Sequence, residues 1–318
     1  MDRSFAQAGR IHAESPALAA RSTPGTPVEE LASGFTWSEG PVWIRDGGYL
    51  LLSDVPANRM YRWSEGDGLS IFLEPSGYDG DDPSGFREPG SNGLIPGPPG
   101  TILMADHGNR AIARLDLASR RKTFLATHYG GRRFNSPNDL VLGADGSIWF
   151  TDPPYGLEGL NESPLREQPV NGVYRLFPSG EVERVVKDMS FPNGILLSPN
   201  GRILYVANSA PDRAVVLAYT LDSAGKVLGR ETFADMTELA RQGLPGLPDG
   251  MAVDKAGNLF ITGPGGVHIF SSGGALLGRI DTGRAIANCA FGEDGQTLFL
   301  ASGEMLARVR TRTRGLGY

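Results

Sequence analysis

A short stretch recurs along this chain with an oxygen-bearing side chain at one fixed place: SEGPVWI, SNGLIPG, SPNDLVL, FPNGILL, LPDGMAV and IANCAFG. The residues at that place are Glu39, Asn92, Asn138, Asn193, Asp249 and Asn288. Seven to nine residues after each comes a glycine (Gly48, Gly100, Gly146, Gly201, Gly257, Gly295), then an apolar run: YLLLSD, TILMAD, SIWFTD, RILYVAN, NLFITG or TLFLAS. Copies spaced by roughly 40 to 55 residues, each built on a short β-hairpin, constrain the chain to a radial repeat. The expected fold is all-β, a six-bladed β-propeller. A chain of 318 residues is long enough for one such domain.

In the first repeat, residues 39–45 read as the innermost strand, 49–54 as the second, and 59–63 and 69–74 as the third and fourth. The same quartet continues through the next four repeats. The sixth is short: after 287–292 and 297–300, only 304–310 remains for a third strand. Its missing outer strand is expected from VEELASGF, within residues 27–35, so that an N-terminal strand closes the last blade and leaves no open edge. The expected division is a poorly ordered lead over 1–22, a propeller over 23–311 and a tail over 312–318. Each innermost strand starts at the marked residue and its partner returns. Asp54, Asp106, Asp152 and Asn208 should therefore share a face with the marked side chains. Two long connections, 75–91 and 153–170, fall on that face and read as lids. The acidic run Asp79-Gly80-Asp81-Asp82 lacks the spacing of a calcium loop and reads as a solvated turn.

Composition narrows the function classes. The net charge is -6 with a pI near 5.3, and the one basic cluster, RVRTRTR, reads as a final strand with solvated arginines. That is no basic face for a nucleic acid. Cys289 is the only cysteine, so internal disulfides and a cysteine-based zinc site do not hold the fold. Its apolar surroundings mark it as a buried thiol. The N-terminus lacks the apolar run of a signal peptide, and no segment reaches the length of a membrane span. The expected location is cytoplasmic, with no membrane partner. Without a nucleophile elbow, HExxH, phosphate loop or dinucleotide fingerprint, a serine-hydrolase or NAD mechanism has no support.

A radial repeat would gather the marked side chains around one axis as an oxygen cage. Glu39 and Asp249 bring two negative charges; Asn138 and Asn193 bring neutral amide oxygens. Ca2+ takes six to eight oxygen ligands in flexible geometry and tolerates carbonyl donors. With no histidine or cysteine at these positions it is the first expectation, Mg2+, Mn2+ and Zn2+ being other divalent ions to consider. Asn and Asp beside Gly or Pro are also ordinary turn formers. Asn92 and Asn288 are most open to that reading; they could equally contact substrate or cap a strand end. A metal with open positions polarises a carbonyl or phosphoryl oxygen and activates water. The base it needs is expected to be Asp249, with Asn138 orienting substrate or water. His107, in the DHGNR loop, could orient substrate, shuttle a proton, or simply be satisfied by a carboxylate.

On these residues the sequence resembles the senescence-marker-protein/regucalcin/gluconolactonase family of six-bladed propellers. The likeness runs from about residue 30 to residue 303 and rests on SEGPVW, FNSPNDL, FTDPPYGL, FPNGILLSP and LPDGMAVD, in that order. SNGL, DHGNR and NSPND are similar to segments of its microbial gluconolactonase branch. The resemblance implies a divalent cation, usually calcium, held by Glu39, Asn193 and Asp249, with Asn138 at the metal or substrate. It also implies hydrolysis of a sugar lactone such as D-glucono-1,5-lactone to the aldonic acid, with Asp249 as base. Two alternatives stand beside it: an aryl esterase or phosphotriesterase on the same frame, and a binding propeller with a structural ion. The expected partner is a small lactone, and the expected assembly a monomer or weak homo-oligomer.

Overall fold

The computed structural model describes residues 5–22 and 25–318. Its strands form an all-β, propeller-like arrangement: four antiparallel sheets of four strands, a nine-stranded sheet, and a two-stranded ribbon of His128–Tyr129 with Arg132–Arg133. The first sheet runs from Ser38–Ile44 through Tyr49–Asp54 and Arg59–Ser64 to Gly68–Leu73, each boundary within one residue of the sequence expectation. The first strands of the later repeats are Ser91–Pro96, Leu140–Leu142, Pro192–Leu197, Met251–Val253 and Asn288–Gly292. These strands touch one another in sequence order, and Asn288–Gly292 touches Ser38–Ile44, so they enclose an axial channel.

The second strands are apolar on both faces because both faces are covered. Side chains alternate along a strand. Leu50 and Leu52 therefore pack with Phe35, Trp63, Phe299 and Leu306, while Leu51 points the other way, into Val42, Met60, Leu94 and Met104. Similar clusters fill the space between every pair of neighbouring sheets. Phe299 is fully buried and stacks on Trp43 at 5.5 Å, so cutting it to alanine should cost about 3–5 kcal/mol.

The N-terminus corrects an expectation. Residues 6–13, expected within a poorly ordered lead, form the strand Ala6–Ala13. Its first half pairs with Val28–Ser33 and its second half with Leu276–Asp281, which is how nine strands come to share one sheet. At the crossing point stands Gly9, where a Cβ would lie 2.0 Å from the Asp281 carbonyl oxygen. Ala8, Ile11 and the buried Leu18 dock on the adjoining core, and three apolar residues at irregular spacing give no strand periodicity to read. Residues 1–4 of that lead, and 23–24, lie outside the described residues. Val28–Ser33 pairs with Met305–Arg310 on its other side, as expected of the closing strand. The terminal arginines are paired rather than merely solvated: Arg308 meets Glu29, Glu65 and Glu293, and Arg310 meets Asp294. The tail folds back too, with Tyr318 Oη donating to Phe291 O (2.7 Å) and Arg45 lying over its ring. No helix among the described residues is long and apolar enough to cross a membrane.

Candidate active site

The marked residues are positioned by a repeated division of labour. Polar side chains ending the second strands hold the chain just ahead of a marked residue. Asp54 accepts from the amides of Thr36 (2.9 Å) and Trp37 (3.1 Å), Asp152 from Asn135 (2.9 Å), and Asn208 from Phe191 (3.0 Å). Asp106 departs from this and accepts from Asn109 and from Lys122 Nζ (3.0 Å). Hydroxyls near the same strand ends donate to the next repeat: Ser53 to Asn92 O (2.8 Å), Thr151 to Asn193 O (2.6 Å), Thr262 to Ala287 O (3.1 Å). The glycine after a marked residue serves close approach. A Cβ on Gly194 would lie 2.0 Å from Asp249 O, and one on Gly250 would lie 2.1 Å from the Asn288 side chain. Neither has a positive φ, so these Asn-Gly and Asp-Gly pairs are not left-handed turn formers.

Glu39, Asn92, Asn138, Asn193 and Asp249 line one cavity of about 530 Å³. Asn288 and His107, expected to contact substrate, lie one layer back. Asn288 Nδ2 donates to Glu39 Oε2 (3.1 Å), its Oδ1 accepts from Cys289 N (2.8 Å), and it opens onto a second cavity on the far side. His107 is fully buried under the 153–170 connection, with Asn92 Nδ2 donating to its Nε2 (3.1 Å). Further wall residues not singled out from sequence include Trp37, Arg87, Glu88, Tyr155 and Ser209. Arg87 and Glu88 come from the 75–91 connection and Tyr155 from 153–170. The two connections meet over the site, where Arg87 N donates to Gly156 O (3.1 Å), Glu158 N donates to Gly85 O (3.0 Å), and Phe86 bridges Leu157. Tyr155 is stacked on Phe191 at 5.6 Å. The signal for these residues was the length of the loops; a repeat finds only positions that recur.

Burial pushes the Glu39 carboxyl up to about 8, against the lowering effect of the Gly40 amide and with the Asp139 charge adding to the rise. Burial also raises Asp249, reinforced by the charges of Glu39, Asp139 and Glu88. Two carboxyls forced upward in one cavity are a place where added positive charge is strongly favoured. Asn193 strengthens the case. Its Nδ2 donates to Ser209 Oγ (2.9 Å), while its Oδ1 is buried with no hydrogen-bond partner. A buried amide oxygen left unpaired is uncommon and calls for an occupant. Among the described residues no three His, Cys, Asp or Glu side chains converge as a metal group. The donors here are two carboxylates plus amide oxygens, which fit a hard, oxygen-preferring cation rather than zinc.

The model of the SMP-30/Gluconolactonase/LRE-like region matches residues 37–304. This chain belongs to that family. It is 48% identical over 311 residues to a gluconolactonase of Zymomonas mobilis, covering 96% of this chain and 87% of that one. Its fold aligns with the structure of a gluconolactonase from Xanthomonas campestris at a TM-score of 0.82 and 32% identity, over 98% of both chains. A calcium-binding regucalcin from Agrobacterium tumefaciens aligns at 0.70 and 18% identity, over 91% of this chain and 96% of that one, a likeness that bears on the fold alone. The family match spans both long connections and every cavity residue named above.

Proposed function

We propose that this chain is a divalent-cation-dependent lactonase, with Ca2+ as the cation, opening a sugar lactone such as D-glucono-1,5-lactone to its aldonic acid. As an ester-bond hydrolase it would be of the gluconolactonase type, in keeping with its similarity to the Zymomonas enzyme. The observation that carries the cation is the unpartnered Asn193 Oδ1 beside two carboxyls raised chiefly by burial and further by neighbouring carboxylates. Glu39, Asn138, Asn193 and Asp249 would hold it. When bound, such an ion supplies Lewis-acid stabilisation of charge developing on the carbonyl oxygen. Asp249 would accept the proton of the attacking water and return it to the ring oxygen as the C–O bond breaks. Asn138 and Asn92 orient the lactone through their amides. Trp37 and Tyr155 offer apolar ring faces to the sugar's C–H surface, and Arg87 a donor to its hydroxyls. For the frame we read the nine-stranded sheet as two blades sharing Ala6–Ala13, which makes a six-bladed ring closed by Val28–Ser33.

The test is a proton-release assay over lactones, aryl esters and phosphotriesters, with and without chelator, corrected for spontaneous ring opening. Lactone turnover that chelator abolishes and calcium restores is expected. Turnover of phosphotriesters alone, or lactone turnover indifferent to chelator, would overturn the reading.

A further inference from the structure

An asparagine in an oxygen cage can face the axis with either end of its amide, and only the carbonyl oxygen can meet a cation. Here the donor ends of two cage amides converge on one buried ring nitrogen. Asn92 Nδ2 lies 3.1 Å from His107 Nε2, and Asn138 Nδ2 lies 3.5 Å from the same atom. Both asparagines line the cavity, while His107 does not and is fully buried. A ring nitrogen that accepts carries no hydrogen, so the proton of the neutral imidazole belongs on Nδ1. Nδ1 is buried without a hydrogen bond, and Glu88 Oε2 stands 3.4 Å away from it.

The junction of the two long connections puts Glu88 in that place. Gly156 O accepts from the backbone amides of Arg87 (3.1 Å) and Glu88 (3.3 Å), and Gly156 N donates to Ser136 Oγ (2.9 Å). Gly156 lies so close over the imidazole that a Cβ there would be 2.9 Å from His107 Cβ. Ring, loop and carboxylate are thus packed as one unit behind the amides.

We infer that His107 is a positioning residue: by taking amide hydrogens of Asn92 and Asn138 it turns both carbonyl oxygens toward the cavity, and Glu88 keeps it in the Nδ1–H form. Partners one layer behind metal ligands commonly fix orientation in this way, and losing one typically costs tenfold to a hundredfold in affinity. A proton shuttle, by contrast, needs a ring nitrogen facing the cavity, which His107 lacks. The inference rests on the cation reading of the cage.

Two measurements on the full-length protein test it. Long-range nitrogen–proton NMR of the parent, free of calcium, should show His107 as the Nδ1–H tautomer. Calorimetric titration with calcium should show His107→Leu weakened about tenfold or more. His107→Gln, whose side-chain oxygen can still accept from Asn138 and Asn92, should recover most of the loss. An Nε2–H tautomer in the parent, or equal affinity in the parent and a folded His107→Leu, would overturn the inference. Because the tautomer is read on the parent, a Leu variant that fails to fold leaves the inference open to refutation. A parent that binds no calcium yet shows Nδ1–H would defeat the cation reading while supporting the amide-orienting role.

Discussion

The channel has two ends, and the same strands line both. At one end the starts of the strands bring Glu39, Asn92, Asn138, Asn193 and Asp249 to a cavity roofed by two long connections. A few residues further along, Val42, Ile44, Leu94, Val141, Ile195 and Val253 help line a second cavity of about 600 Å³ at the other end. Its buried carboxyl, Asp139, accepts from the amides of Leu140 (2.9 Å) and Ile195 (3.3 Å), which only partly offset the burial that lifts it to about 7. Its rim includes the chain's own tail, Leu316 to Tyr318. The cage end, by contrast, keeps an unpaired amide oxygen and two carboxyls raised by burial and nearby carboxylates. Polar groups satisfied by their own backbone serve the fold; polar groups left wanting serve a ligand.

The sharpest way to break this comparison is to neutralise Asp249. Asparagine can offer an oxygen to the cation but cannot act as a base, so Asp249→Asn saturated with calcium should lose about a hundredfold to ten-thousandfold in lactone turnover while staying folded. Near-parent initial rates in that variant would remove Asp249 as base.

Next comes the cation. Glu39→Gln keeps shape, removes one of two charges and should weaken calcium binding by at least about tenfold in a calorimetric titration. The pH dependence carries a definite sign. The Glu39 carboxyl moves from an ordinary 4.5 to about 8 on folding, so between those values the folded, metal-free protein holds more protons than the unfolded chain. Its stability should therefore fall as pH rises through that window, and calcium affinity should rise over the same range. Thermal melts and titrations at pH 5, 6.5 and 8 would check both, and Glu39→Gln should flatten both slopes.

The smallest effect belongs to the far end. Tyr318→Ala removes the bond to Phe291 O and the stack under Arg45. It should lower stability by about 1–2 kcal/mol and leave lactone turnover within twofold, read by denaturant melts and initial rates. A large loss of activity there would mean that the two ends are coupled.

Much of this was legible in the sequence for a physical reason. A radial repeat reuses one local solution, so Glu39, Asn193 and Asp249 announce themselves by recurring context, and strands buried on both faces read as runs such as YLLLSD. What recurs only once stayed hidden. Glu88 and Tyr155 reach the cavity from single loops, and no recurring position marks them, although Tyr155 lies within the FTDPPYGL segment. His107 was noticed for its chemistry, yet only packing under Gly156 reveals that it sits behind the cavity wall. Ala6–Ala13 escaped notice because its two halves pair with different strands, with a register shift between Gln7 and Gly9 that erases any alternation.

The closing strand bears on how the molecule is made. Val28–Ser33 leaves the ribosome long before one of its two neighbours, Met305–Arg310, is translated. Until it emerges, the early strands present an unpaired edge with nothing native to cover it. Closure is a contact between nearly opposite ends of the chain, the kind that forms slowly. A nascent chain stalled just short of Met305 would hold every cavity residue of the site and still be an open ring, sticky along one rim and a target for chaperones.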